Sequence, residues 1–450
     1  MKKFYLIICA LVAIITANAA TFSGTVPVMY IYTKNSAAIT SKDTYIDANF
    51  YIDPKSSGYA ATGSASSTVA MKIRGRGNTS WTDYDKKPYR FKLTVGIKLL
   101  DMPKSKNYCL LAYADDDLAF IRGAMGFKLS ECLNLAYTPR YRPVEVMLNG
   151  SYIGLYFLTE SVRVDKDRVA ITKQDDNATD ASLITGGWLL EMDNADDDGQ
   201  VKITEGNGNT MRFAYKDPEE LSSAQTNYLT GQLNSMDDAI YATDKNSTTW
   251  EKYINMDTLA RYYIVQEIMD NTEAFHGSTY LYKQRGAANI WSFGPVWDFA
   301  NAYRRSEQQF IYQNSPFTQH WIAEIAKYPR FQQKVRDLWA EFYKNQYATL
   351  STFIDSYVSS ISSAIASDYQ RWPSYGTSNA TTKKAEFKQL LEARVKWLNT
   401  QWDPAGIDEI TIDKNNAPVE YYNLQGMKVE NPENGLYIRI QGDKATKVIL

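Results

Sequence analysis

The residues best placed to do chemistry lie in 289–305, which reads NIWSFGPVWDFANAYRR. Ile290, Trp291 and Phe293 precede Gly294-Pro295, and Val296, Trp297, Asp298 and Phe299 follow, so a hairpin turning there would present one carboxylate from an apolar wall. Between two aromatic rings that carboxylate loses hydration. The loss is tolerable only where a metal, a cation or several hydrogen-bond donors compensate. Asp298 is therefore a candidate metal ligand, the alternative being an Asp that caps the following turn.

A second constellation is the loop 74–81, RGRGNTSW, with Lys72 one step back on a strand. Two glycines let backbone N–H groups approach a ligand, and Arg74, Arg76 and Asn78 supply donors suited to a phosphate or another anion. The loop is not GxGxxG, because Ser80 stands at the third glycine position, and it is not a Walker loop; a tight turn is the plain alternative. Lys87, Lys92 and Arg122 add positive candidates, and Glu131 or Glu160 could pair with one of them. A strand lysine such as Lys92 commonly keeps its ammonium in water. Glu191 and Asp193 allow a paired-acid site at a strand end, or two solvated acids.

A third cluster, Glu267, Asp270, Asn271, Glu273 and His276, falls within ten residues at the end of a helical stretch. One of these acids could act as general base while Asp298 held a metal, with Asn271 or Ser278 as a second oxygen ligand. No second His or Cys lies near His276, which disfavours zinc. There is no GxSxG elbow, so a hydrolase triad is unsupported.

The elements that must position these groups are legible in outline. Lys2 and Lys3, an apolar run over 4–15 and Ala17-Asn18-Ala19 predict a secretory signal over 1–19, too short to span a bilayer. Removing it leaves Cys109 and Cys132, which either bridge in an oxidising compartment or remain buried thiols. With 49 basic and 51 acidic residues, no global basic field for nucleic acid exists. The 33 tyrosines and 10 tryptophans suit either stacking surfaces or a β-rich core.

Alternation at Val26, Val28, Tyr30 and Tyr32, and again over 44–52, predicts an amino-terminal β region over 20–69. Strands at 71–76 and 88–95 flank the glycine loop, another covers 108–113, and Asn149-Gly150 joins two strands in 144–158. A helix over 118–133 takes Asp117 as its N-cap. Residues 186–192 form a strand and 193–199 an acidic loop. Asp217-Pro218 opens a helical region, and further helices cover 257–269, 331–365 and 384–402. Pro404-Ala405-Gly406 stops the last helix, and 407–450 forms a small β module. The expected fold is α+β, with a β-rich amino-terminal lobe, an α-rich carboxy-terminal lobe and that module.

The ordered motifs MKIRGRGNTSW, KKPYRFKL, KNYCLLAYADDDLAFIRGAMGFKL, YTPRYRPVEVMLNGSYIGLYFLTESVRVDKDRVAI, GGWLLEMD and FGPVWDFANAY closely resemble the CotH kinase family, the spore-coat-protein-H-like proteins. The resemblance covers about 71–303 and the helical part after it, placing the domain at 70–403. It implies an atypical protein-kinase-like fold, ATP with Mg²⁺ or Mn²⁺, and phosphorylation of Ser or Thr on secreted or surface proteins. By motif, Asp298 resembles the metal-binding aspartate, beside which Asn271 or Ser278 stands as the candidate second oxygen ligand. The loop residues Lys72, Arg74, Arg76 and Asn78, with Lys92, Arg122 and Glu160, would serve the nucleotide. The catalytic acid belongs before the YLYK motif, at Asp270 or Glu273.

Two positions depart from the family pattern. Ala300 stands where WDFD or WDYD carries a second acid, and Ser278 where an asparagine is common. An inactive scaffold that binds a surface glycan or acts in adhesion is therefore the alternative to a kinase. The tail YYNLQGMKVENPENGLYIRIQGDKATKVIL resembles the carboxy-terminal β module of proteins using type IX secretion, which implies the cell surface or exterior.

Overall fold

The computed structural model describes residues 24–196, 199–286, 288–375, 379–403, 419–424, 426–441 and 444–450. The expected signal at 1–19 and the helix stop at 404–406 lie outside the described residues.

Seven strands build the amino-terminal unit: β1 (Val28–Thr33), β2 (Ile46–Asp53), β3 (Val69–Gly75), β4 (Tyr89–Ile97), β5 (Ser105–Leu111), β6 (Tyr141–Leu148) and β7 (Ser151–Glu160). They alternate with period two, so Met29, Ile31, Phe50, Ile73, Phe91, Leu110, Val146 and Leu158 point inward and form one apolar core. The order is β1-β2-β3-β4-β5-β7-β6, and parallel pairing of β1 with β6 closes it into a barrel. Closure removes the open edges a sheet would otherwise expose. This half is therefore a closed barrel, an architecture different from the kinase-like lobe expected from the resemblance, and strands from both sides of residue 70 share it. Asn149 (φ 49°) and Gly150 (φ 84°) make the expected tight turn between β6 and β7.

A one-turn helix α1 (Thr79–Thr82) interrupts the glycine loop, and α2 (Ile121–Cys132) lies almost wholly buried beside the barrel. Asp117 does not cap α2. Asp116 does that work, its carboxylate accepting the N–H groups of Leu118 at 3.0 Å and Arg122 at 3.1 Å.

The second unit is an antiparallel sheet covered by helices. Its strands are β8 (Trp188–Met192), β9 (Gln200–Thr204), β10 (Thr210–Asp217), β11 (Thr279–Lys283) and β12 (Ser292–Phe293), in the order β12-β11-β8-β10-β9. The helices are α3 (Ser223–Ile240), α4 (Met256–Ile268), α5 (Ile322–Ile325), α6 (Pro329–Asn345), α7 (Tyr347–Arg371) and α8 (Ala380–Trp402). Three expectations change here. Asp217-Pro218 ends β10, and α3 begins later, where Ser222 and Gln225 form a capping box. The helical run 331–365 belongs to two helices that meet at Gln346. No strand follows Gly294-Pro295; the hairpin is β11 with β12, and 294–299 run irregularly into the site.

Trp188, Trp250, Trp291, Trp321 and Trp339 are fully buried, so much of the indole content is core. Cys109 and Cys132 are both buried free thiols. Among the described residues no helix is long and apolar enough to cross a membrane. The tail forms its own sheet from β13 (Val419–Tyr422), β14 (Lys428–Val429), β15 (Leu436–Gln441) and β16 (Lys444–Ile449).

Candidate active site

The outward face of β3, β4 and β5 carries two basic rows. Arg74 stands opposite Arg90, which stands opposite Cys109; Lys72 stands opposite Lys92, which stands opposite Asn107. Most of this charge is already engaged. The Arg74 guanidinium donates to the carbonyls of Lys42 and Asp43 and lies 4.8 Å from the Tyr45 ring, while Lys92 sits 5.2 Å from the same ring. Lys72 pairs with Asp47 at 2.8 Å, and the Asn78 side chain accepts from Lys42 at 2.9 Å. Those four candidates bind the segment 42–47.

Arg76 behaves differently. The Trp81 ring folds onto the strand end, where a Cβ on Gly75 would come within 2.4 Å of it, so only glycine fits. The chain then carries Arg76 toward the second unit, where its guanidinium lies 5.7 Å from the Trp297 ring.

Opposite Arg76, segments 271–273 and 298–302 are laced together. Asn271 pairs with Ala302 in an antiparallel bridge, and its amide donates to the Asp298 carbonyl at 3.0 Å. Asn301 in turn donates to a Glu273 carboxylate oxygen, and Asn194 reaches the other at 3.4 Å. Trp297 and Phe299 are buried on either side, and Phe299 fills the space over Gly126, where a Cβ would stand 2.0 Å from the ring. Asp298, at φ 56°, thereby turns its carboxylate to the opening, one oxygen accepting the Ala300 N–H at 3.1 Å.

Solvent reaches Asp298, yet protein walls surround it. Their burial of the group raises its pKa above the ordinary carboxylate range, the Ala300 N–H and Arg76 oppose the rise, and Glu191 adds to it. Burial also lifts Glu273 from its usual 4.5 to about 7, with the Asp298 charge next in importance; Asn301 restrains the shift and Asp115 reinforces it. Asp115 is raised by burial and then by Asp298. Three acids thus share one partly dehydrated space, the situation in which a carboxyl holds a proton near neutral pH.

The other predicted residues have structural partners. Asp270 is bound by Arg305 at 2.6 Å and approached by Arg394 at 3.4 Å, so its charge is answered by two guanidinium groups. Buried Arg122 pairs with Asp116 at 3.0 Å and Asp117 at 2.7 Å and donates to the Ala302 carbonyl at 2.9 Å, anchoring the segment that follows Asp298. Glu160 is buried among Tyr137, Arg140 and Arg168. Ser278, at φ 49°, directly precedes β11.

Among the described residues no group of three or more His, Cys, Asp and Glu side chains is placed to hold a metal ion. The oxygens suited to a hard cation are the Asp298 carboxylate and the Asn271 amide oxygen, which is buried with no hydrogen-bond partner. A buried acceptor left without a donor is costly, and a cation would satisfy it. The donor set therefore fits a divalent ion, whose remaining ligands would have to come from water or a bound phosphate.

Sequence reasoning missed Arg90, Lys216 and the Lys86–Asp368 pair. Arg90 alternates with Lys92 on β4, a signal available from strand period alone; Lys216 and Asp368 come from distant elements and carry no local mark. Residues 73–398 match the family described as CotH kinase protein. A search of curated proteins found no match. The match spans well over half of the 450 residues and contains the glycine loop from Arg74, both laced segments and the helices behind them, so the chain belongs to the CotH kinase family.

Proposed function

We propose that the protein transfers the γ-phosphoryl group of ATP to a Ser or Thr hydroxyl of a secreted or surface protein. The observation that carries this reading is the pairing of Glu273 with Asp298 beneath Arg76. One acid has its pKa lifted to about 7, a value matched to proton transfer near neutral pH. The acceptor oxygen attacks the γ-phosphorus, the bond from that phosphorus to the β-bridging oxygen breaks, and ADP leaves. Glu273 takes the hydroxyl proton. Arg76 faces the charge on the phosphoryl oxygens, and Trp297 beside it keeps the guanidinium in place.

A divalent cation held by Asp298 and Asn271 would offset phosphate charge, as in other phosphoryl transfers. Glu273 is preferred to Asp270 as base because the two arginines on Asp270 stabilise its charged form and occupy its oxygens. The signal-like amino terminus and the carboxy-terminal β sheet support placing the protein outside the cytoplasm.

Ala300 and Ser278 favour a second reading, a scaffold that binds a surface partner or glycan without transfer, because neither offers the ligand common in the family. Incubation of the purified chain with labelled ATP, Mg²⁺ and a mixed acceptor separates the two. Incorporation lost in Glu273→Gln and Asp298→Asn supports the kinase reading; no incorporation by the unaltered chain refutes it.

A further inference from the structure

The only two histidines of the chain, His276 and His320, meet beside the turn that carries Glu273, their rings parallel within 13° and 6.0 Å apart. His276 closes that turn: its N–H and that of Gly277 both donate to the Glu273 carbonyl, at 3.0 and 3.1 Å. The turn is strained. Buried Phe275 has φ 62° and Ser278 has φ 49°, a left-handed backbone that is unfavourable for any residue but glycine. Such a conformation persists only where its surroundings fix it.

Segment 315–320 does the fixing. The Gln319 amide donates to the Thr272 carbonyl at 2.7 Å, the Ser315 hydroxyl donates to the same oxygen at 3.2 Å, and the His320 N–H donates to the Phe275 carbonyl at 3.0 Å. The His276 ring donates through Nδ1 to the Thr318 carbonyl at 3.1 Å and stacks on Phe317 at 5.2 Å. Yet this segment is itself unfavourable when taken alone. The Gln319 amide oxygen is buried without a partner, and Trp321, fully buried at its end, stands at φ 57°. A buried acid holds it from behind. Glu205 directly follows β9; one of its carboxylate oxygens accepts the His320 Nδ1–H at 2.6 Å, and the other accepts the Trp321 N–H at 3.1 Å and the Tyr241 hydroxyl at 3.3 Å. Asp237 of α3 accepts the Trp321 indole N–H at 2.8 Å and the Gly206 N–H at 2.9 Å, which ties the turn after β9 to the same anchor. A carboxylate out of water is tolerated where donors answer it in this way.

We propose that Glu205 and His320 are positioning residues for phosphotransfer: they clamp segment 315–320 against the turn 272–277 and so fix where Glu273 presents its carboxylate beside Asp298. This rests on the reading of Glu273 as base. The clamp acts on Glu273 through the backbone, because the carbonyls it holds belong to Thr272 and Phe275, on either side of that residue. Strain in the turn and strain at Trp321 then have one explanation, since each segment keeps its conformation only while pressed on the other.

The test uses the full chain in two arms. In hydrogen exchange read by mass spectrometry, His320→Ala and Gln319→Met should each speed exchange in a peptide covering 273–277 by about tenfold, the effect of one lost hydrogen bond on local opening. His320→Gln, which keeps a donor for Glu205, should change it less. In steady-state transfer, His320→Ala should lower kcat by about tenfold to a hundredfold, the effect of misplacing a reacting group, and leave the KM for ATP unchanged. Gln319→Met should act in the same direction; if His320→Ala does not fold, Gln319→Met and His320→Gln carry the comparison. Unchanged exchange in the folded variants, faster exchange with kcat unchanged, or a fall in kcat matched by a rise in KM overturns the inference while the kinase reading stands. If the unaltered chain transfers no phosphate, the kinase reading falls and the positioning role falls with it.

Discussion

Lys86 and Asp368 form a fully buried ion pair, Nζ to Oδ1 at 2.7 Å, with side-chain exposures of 0% and 2%. Lys86 lies in the return from the glycine loop to β4, and Asp368 lies on α7, so the pair fastens the loop to the helical unit. The ammonium also sits 4.7 Å from the Phe120 ring and 5.2 Å from the Tyr156 ring, and the same Asp368 oxygen accepts the Leu155 N–H at 2.7 Å. Gly154, at φ 115°, leaves room for that carboxylate, since a Cβ there would stand 2.3 Å from it. Removing one partner strands the other charge out of water. Lys86→Met and Asp368→Asn should each cost about 3–5 kcal/mol, whereas Lys86→Met with Asp368→Leu should recover most of the loss. Urea unfolding followed by fluorescence measures this. Single-variant losses below about 1 kcal/mol, the range for an exposed pair, would show that the pair does not act as a buried clamp.

Further outcomes follow from the acids and the packing. The phosphotransfer rate should fall as pH drops on the acid side of neutrality, because Glu273 must be unprotonated to accept a proton and a cation on Asp298 would offset the charge that helps raise it. Asn301→Ala should move that limb to higher pH by removing a donor that favours the charge; an unshifted limb would exclude Glu273 as base. The same group weakens the fold as pH rises. Its folded pKa of about 7 exceeds the usual 4.5, so its stabilisation is complete below 4.5 and lost as pH rises through 7. Glu273→Gln should reduce that decline in denaturation at a series of pH values, with Glu267, also raised to about 7, contributing part of the remainder. Gly126→Ala should push Phe299 off α2 and misplace Asp298, costing about 1–3 kcal/mol by overpacking and reducing transfer; full activity would mean that Phe299 does not set the position of Asp298.

Local signals predicted local structure well. The Asn149-Gly150 turn, the glycine hairpin and the strand ending at Met192 carry their own residue types. Closure of the barrel does not, because β1 meets β6 across more than a hundred residues. Strands β9 and β10 carry the alternation too, Val201, Ile203, Met211 and Phe213 being buried between Lys202, Thr204 and Arg212, but the five residues of β9 and the bulge at the end of β10 make the signal short. At the site, Asp298 stood out by its aromatic flanks. The choice between Asp270 and Glu273 was hidden, since it depends on Arg305 and Arg394 arriving from distant sequence to neutralise Asp270. Arg74 looked like the strongest anion ligand by composition, yet the segment 42–47 occupies it.

The proposed function requires a working phosphotransfer centre at Asp298 and Glu273 despite Ala300. Its most direct test is phosphate incorporation from γ-labelled ATP, counted by mass spectrometry, for the unaltered chain, Asp298→Asn and Glu273→Gln at matched folded concentration. Mg²⁺-dependent incorporation into Ser or Thr by the unaltered chain is expected, with a loss of at least about a hundredfold in each variant. Incorporation that survives both substitutions, or none by the unaltered chain, would contradict it.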